Sequence, residues 1–311
     1  MTDVSVVLSV FNGGDDLKIS LDSLLAQEGV DFEIIVVNDG SVDETAKLLD
    51  EYSRQYSCVK IIHQENLGLT RSLIKGCSKA QGRYIARQDC GDRSLPGRLL
   101  RQFKIMEQNP GLVMIACGTR YLDEKGNCLY TVSQTDEQLV AGLNETDEKS
   151  FKGPSSHGST MFRKDIYDLA GGYRLPFYVA QDLDLWTRLI EHGSCASIPD
   201  VLFETQWSLG SISHMKRKQQ VIALRAIIEC KARRLAGKSE EEILVPLDKL
   251  LRNNGWDFVP SRLQASRYHY FLACTLAGRD TKAAKEHFDS AIKSWPLNLK
   301  AWWRRVMLST Q

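Results

Sequence analysis

Short apolar runs alternate with amphipathic stretches over the first third of the chain, and this alternation constrains the fold more than any other feature. The runs are rich in β-branched residues and predict buried strands, whereas the leucines at helical spacing between them predict helices. Strands that alternate with helices form a mainly parallel sheet with helices on both faces. The predicted strands are Val4–Val10, Phe32–Val37, Val59–Ile62, Tyr84–Ala86 and Val113–Ala116.

Polar side chains follow several of these strands directly. Ligands of such sheets bind at the carboxyl ends of the strands, so these positions predict a ligand site with several carboxylates. Ser41 and Glu44 have capping-box spacing and predict a helix start after the second strand. The segments at the predicted edge are Phe11-Asn12, Asn38-Asp39, Glu65-Asn66 and Asp89–Asp92.

Composition restricts the class of protein. The chain has 311 residues, of which 43% are hydrophobic and 25% charged, as in a globular protein with one large and one small domain. A net charge of +1 argues against nucleic-acid binding through bulk charge. Eight scattered cysteines without a CxxC pair favour reduced thiols in a cytoplasmic protein. Neither a signal peptide nor a membrane-spanning run is expected.

The pattern changes near Ser213, after which only helices are predicted. We therefore predict an α/β domain over 1–213 and an all-helical region over 214–311. Alanines and Phe288 before Pro296 resemble one tetratricopeptide-like helix pair. Basic residues between Lys216 and Lys238 interleave with apolar ones, as in a solvated helix packed on the first domain. The alternative is a surface that docks on anionic lipid, with Trp302-Trp303 as an interfacial anchor.

Five segments, in order, resemble the inverting family 2 glycosyltransferases with the GT-A fold, over roughly Val4 to Ser213. The resemblance implies a Rossmann-like sheet and transfer of a sugar from a nucleotide sugar, of the UDP type, to an acceptor hydroxyl. It also implies a role in polysaccharide or glycoconjugate biosynthesis. The segments are VSVVLSVFN (4–12), EIIVVNDGSVDET (33–45), NLG (66–68), YIARQDCGDRSLPGR (84–98) and QDLDLWTR (181–188).

The resemblance implies four donor-binding residues. Phe11 offers an aromatic face for the uracil, and Asp39 accepts a hydrogen bond from the base ring. Arg71 lies beside the base, and Asp89 holds the ribose. Three of them also have a simpler interpretation, which is a core aromatic for Phe11, a turn or capping residue for Asp39, and a surface arginine for Arg71.

A divalent cation, Mn²⁺ or Mg²⁺, is implied as well, because the family carries an Asp-x-Asp motif whose oxygens suit these ions. Here Gly91 stands at the position of the usual metal-binding Asp. Asp89 and Asp92 remain as candidate ligands, and His214 is a further candidate despite a different spacing. If Gly91 does not re-aim Asp92, metal binding is weak or absent, and the segment is then a solvated turn.

Gln181-Asp182 resembles the pair that opens a helix and carries the catalytic base of the family. The resemblance implies that Asp182 takes the proton of the acceptor, and the helix dipole favours its ionised form. His157 and Tyr173 resemble residues on the acceptor or diphosphate side. The alternatives are an ordinary helix-start carboxylate for Asp182 and a structural loop histidine for His157.

Two other functions fit parts of the pattern. A nucleotidyltransferase shares the fold, but the loop after the first strand lacks the basic residues that such an enzyme would place there. A non-catalytic sugar-nucleotide-binding scaffold would account for Gly91. The expected partners are a nucleotide sugar and a glycan or lipid-linked glycan acceptor, with peripheral contact of the basic C-terminal helices at the inner face of the cell membrane.

Overall fold

The structure is a computed structural model that describes residues 2–207, 217–253 and 261–308. These residues form two compact units. The first unit contains residues 2–120, 132–205 and 217–253, and the second contains 121–131, 206–207 and 261–308. The helices of residues 217–253 thus group with the α/β part of the chain. The boundary expected near Ser213 lies outside the described residues, so a functional division at that point stays a prediction.

The strands join in one mixed sheet. Their bounds are β1 Val4–Val10, β2 Phe32–Asp39, β3 Val59–Gln64, β4 Tyr84–Asp89, β5 Arg93–Ser94, β6 Leu112–Leu122, β7 Cys128–Val132, β8 Met161–Arg163 and β9 Ser194–Gln206. The order is β3-β2-β1-β4-β8-β6-β9-β5, with β7 paired to β6. Strands β1 to β4 are parallel, whereas β8 runs antiparallel to both β4 and β6.

Helices cover both faces of the parallel part, which confirms the predicted α/β fold. The helices of the first unit are α1 Gly14–Leu25, α2 Thr45–Gln55, α3 Leu69–Ser78, α4 Arg98–Gln108, α5 Asp136–Asn144, α6 Lys164–Leu169, α7 Gln181–Leu189, α8 Arg217–Leu235 and α9 Glu241–Asn253. Val6 and Leu8 of β1 face the leucines of α1, α2 and α4, whereas Val7 faces Leu73 of α3. Burial on both faces explains why β1 is a continuous apolar run.

The second unit packs its helices against β7, at Leu129 and Tyr130. The helices are α10 Ser261–Leu276, α11 Thr281–Ser294 and α12 Leu299–Met307. The apolar spacing that predicted a helix pair corresponds to α11, in which Ala284, Phe288 and Ala291 are buried against α10. None of the helices within the described ranges combines the length and hydropathy that a membrane span requires.

Candidate active site

The parallel strands bring two predicted site residues to the same edge of the sheet. Strand β1 lies between β2 and β4, with Val10 opposite Asn38 on one side and Ser9 opposite Asp89 on the other. Asp39 and Asp89 are therefore two strand spacings apart, or about 10 Å. We call Asp39 and Asp89 the acidic edge.

The loop after β1 presents Phe11 to solvent, with 51% of its surface exposed. The next residue, Asn12, has a φ of 52° and is held by the loop after β2. Its backbone N–H donates to Ser41 Oγ at 2.9 Å, and its Oδ1 accepts from Val42 N at 2.9 Å. Ser41 therefore braces this loop instead of capping α2, and the expected capping box does not form. An exposed aromatic ring on a braced loop is compatible with stacking on a base.

Asp39 is nearly enclosed, with 3% of its surface exposed. Its carboxylate accepts hydrogen bonds from Leu67 N at 2.8 Å, Gly68 N at 2.8 Å and Gln64 Nε2 at 2.7 Å. These bonds occupy three of about four acceptor positions of a carboxylate. Asp39 thus orders the turn before α3 and retains capacity for one further donor, while Arg71 lies exposed on α3.

Asp89 is paired with a buried cation that the sequence interpretation did not single out. Arg87 has no exposed surface and donates from its guanidinium to Asp89 Oδ1 at 2.5 Å. The Asp89 side chain keeps 36% of its surface exposed, so it is accessible to a ligand. The sequence did carry a signal for Arg87, which is a lone charged residue inside an apolar strand. Such a residue is costly to bury without a partner, so its position indicates a buried ion pair.

His157 is neutral and accepts two hydrogen bonds at one ring nitrogen. Arg87 Nε donates to His157 Nε2 at 3.2 Å, so this nitrogen carries no proton. The Tyr173 hydroxyl lies 2.7 Å from the same nitrogen and must be the donor there. Burial, together with the charge of Arg87, lowers the pKa of His157 to about 3. Nε2 is therefore occupied within the protein, and only Nδ1 remains for the ligand contact predicted from the sequence.

Asp182 lies in the first turn of α7, preceded by Ala180 with a φ of 55° and the buried Gln181. Its Oδ1 accepts a hydrogen bond from Leu183 N at 2.9 Å. Burial, followed by the negative charge of Asp89, raises the pKa of Asp182 to about 6. Its charge also contributes to the raised pKa of Tyr173, after the larger effect of burial. Asp182 thus interacts electrostatically with Asp89, Arg87 and Tyr173.

Asp184, two residues further along α7, is part of a different arrangement. It is 1% exposed and forms ion pairs with Arg174 and with Arg188, the latter at 2.7 Å. Arg174 also contacts Glu240, the residue before α9, at 2.5 Å, and Glu240 contacts Arg234 of α8 at 2.9 Å. We call these residues the Arg174 network. It attaches α7 to α8 and to the segment before α9 within the first unit. Sequence reasoning missed it because Arg174 and Glu240 are 66 residues apart in the chain.

Among the described residues, Asp89 and Asp92 are the ones predicted to hold a cation, and they differ in accessibility. Asp92 is 6% exposed, and its Oδ2 lies 3.2 Å from where a Cβ on Gly158 would be. Burial, followed by the charge of Asp89, raises the pKa of Asp92 well above its usual range. Gly91 has a φ of 91°, which a side chain rarely adopts. Within the described ranges, no three His, Cys, Asp or Glu side chains are grouped to hold a metal ion, and His214 lies outside those ranges.

Comparisons with known proteins agree with this fold. The chain matches the family model for glycosyl transferase family 2 over residues 5–204. The O-antigen biosynthesis glycosyltransferase WbnJ of Escherichia coli is 33% identical over 188 residues, which cover 60% of this chain and 71% of WbnJ.

Two solved structures share the fold at low sequence identity. S. aureus TarS 1-349 in complex with UDP-GlcNAc has a TM-score of 0.58 at 15% identity. The match covers 99% of this chain and 89% of the TarS chain. The mannosyltransferase PcManGT from Pyrobaculum calidifontis, in complex with GDP-Man and Mn²⁺, has a TM-score of 0.55 at 14% identity. The match covers 98% of this chain and 84% of the PcManGT chain.

The fold is therefore that of a GT-A enzyme with an acidic sheet edge. The chain belongs to glycosyltransferase family 2. It is a glycosyltransferase, which decides against the nucleotidyltransferase and the non-catalytic scaffold.

Proposed function

We propose that the protein transfers a sugar from a UDP-sugar to an acceptor hydroxyl with inversion at the anomeric carbon, and that Asp182 is the base. The observation that carries this proposal is the environment of Asp182. Its pKa of about 6 leaves the carboxylate ionised at neutral pH yet basic enough to accept a proton. It interacts electrostatically with Asp89, the last residue of β4, at the edge where the donor would bind.

The reaction in this proposal is one displacement. The acceptor oxygen forms a bond to the anomeric carbon while Asp182 takes the hydroxyl proton. The bond between that carbon and the diphosphate oxygen breaks, and the diphosphate leaves with the electron pair. Phe11 stacks on the base and the exposed side of Asp89 holds the ribose. Asp39 uses its remaining acceptor position for the base ring.

This proposal assigns no catalytic step to a divalent cation. The relative PcManGT is described with Mn²⁺, but Gly91 and the buried Asp92 leave Asp89 as the accessible carboxylate among the predicted ligands. Asp89 is also engaged by Arg87. No step of the displacement is assigned to a metal ion. Thermal shifts of the protein with UDP-sugars, with and without Mn²⁺, measure whether a cation changes donor affinity.

Polysaccharide biosynthesis is the biological context that we propose, supported by the O-antigen role in the name of WbnJ. A lipid-linked glycan acceptor would place the enzyme at a membrane surface. The basic residues of α8 do not favour that helix as the contact, because Lys231, Arg233 and Arg234 are bonded to protein groups. Helix α12 is a better candidate, since Trp302 and Trp303 are 49% and 62% exposed.

Replacement of the base tests the proposed function. We expect Asp182→Asn to bind UDP-sugar normally and to lose turnover by ~10²-fold or more, because the amide cannot accept the proton. Asp168→Asn, a substitution at an exposed helix position, is the matched control and should keep wild-type turnover. Wild-type turnover in Asp182→Asn would exclude Asp182 as the base.

A further inference from the structure

Arg87 is a fully buried cation with a partner for each of its nitrogens. One terminal nitrogen contacts Asp89, the other donates to Gln88 O at 3.0 Å and to Val7 O, and Nε donates to His157. Burying a guanidinium is costly unless all of its donors are satisfied. The strand β4 therefore holds this cation in one orientation, with Asp89 on one side and His157 on the other.

His157 extends these contacts toward Tyr173 and α7, the helix that carries the proposed catalytic base. Its Nε2 accepts from both Arg87 and Tyr173, and its backbone oxygen accepts from Thr160 Oγ1 at 2.8 Å. Its ring lies edge-on to Tyr173 and to Trp186, with centroids 5.8 and 6.0 Å away. Trp186 belongs to α7, the helix that begins at Gln181-Asp182.

We propose that Arg87 and His157 are positioning residues that tie the donor-side carboxylate Asp89 to Tyr173 and the start of α7, where Asp182 lies. The chain Asp89–Arg87–His157–Tyr173 is continuous through hydrogen bonds of 2.5, 3.2 and 2.7 Å. It fixes the distance between donor and base, to which turnover is sensitive because small displacements of reacting groups cost large factors in rate. This inference rests on the proposed function, in which Asp182 is the base.

Substitutions at His157 distinguish a role in positioning the catalytic groups from a role in the stability of the fold. His157→Phe keeps a planar ring but removes the acceptor, and we expect kcat to fall ~10-fold while the donor Kd changes little. His157→Gln restores an amide oxygen near the position of Nε2, and it should recover most of this loss. His192→Phe, at an exposed histidine after α7, is the matched control and should keep wild-type kcat.

A double-mutant cycle with Tyr173→Phe tests whether Tyr173 acts through His157. If it does, His157→Phe combined with Tyr173→Phe has nearly the same kcat as His157→Phe alone. Multiplied losses, or wild-type kcat in His157→Phe, would overturn the inference. So would a parallel loss of kcat, donor affinity and melting temperature that Gln does not rescue. An inactive Asp182→Asn beside a fully active His157→Phe would refute only the positioning role.

Discussion

The first and second units differ in how they satisfy buried polar groups. In the first unit, buried charges such as Arg87 and Asp184 are paired with groups of opposite charge. The second unit has an apolar core of alanine, leucine and aromatic side chains. Its half-buried His269 and His287 contact each other, Nδ1 to Nδ1 at 3.2 Å. Because removal of one partner from a buried ion pair leaves an uncompensated charge, single substitutions should act most strongly in the first unit.

The largest effect on stability is expected at Asp184. Asp184→Asn leaves Arg174 and Arg188 without their shared partner, so we expect a loss of about 3–5 kcal/mol in the free energy of unfolding. Urea denaturation measures this loss. Asp168→Asn breaks an exposed ion pair and should cost less than about 1 kcal/mol. Equal losses in the two variants would remove the contrast between buried and exposed pairs.

A smaller effect is expected in the pH dependence of turnover. The base must be ionised, so kcat/KM should decline as the pH falls through the pKa of Asp182, about 6. The negative charge of Asp89 contributes to raising this pKa. Asp89→Asn should therefore move the acidic limb of the profile to lower pH, whatever it does to donor affinity. A limb that stays in place in Asp89→Asn would show that the two carboxylates do not interact.

The smallest effect on catalysis is expected in the second unit. Replacing Trp302 and Trp303 with serine should leave turnover on a water-soluble acceptor within about twofold, because exposed positions carry little structural energy. The same variant should lose flotation with anionic vesicles if α12 is the lipid contact. Leu169→Ser, at an exposed apolar residue of the first unit, is the control. A wild-type protein that does not float with these vesicles would exclude the lipid contact.

Much of the candidate site could be predicted from the sequence because each predicted residue is tied to a local pattern. A strand end followed by Gly marked Asp39, and the sequence after Tyr84 marked Asp89. The start of a helix marked Asp182. Neighbouring parallel strands bring such positions to one edge of the sheet regardless of their distance along the chain. The shared edge of Asp39 and Asp89 could therefore be predicted without knowledge of side-chain packing. Family motifs then supplied the roles that the pattern alone left open.

Spacing did not determine which group each side chain meets. Ser41 was expected to cap α2 and instead accepts from Asn12, and the Gly91 turn accompanies a buried Asp92 that local spacing could not foresee. In the pairing of Arg87 with His157, the partners are 70 residues apart in the chain.

By itself, the sequence determined the order of the parallel strands β1 to β4, the helices between them and the side chains at the end of each strand, because hydrophobic periodicity and turn residues act over short distances. Only the tertiary structure decided that His157 is a neutral acceptor, that Asp184 is an ion-pair partner and that Asp182 has a raised pKa. Burial and neighbouring charge set these properties, and both arise from residues distant in the chain.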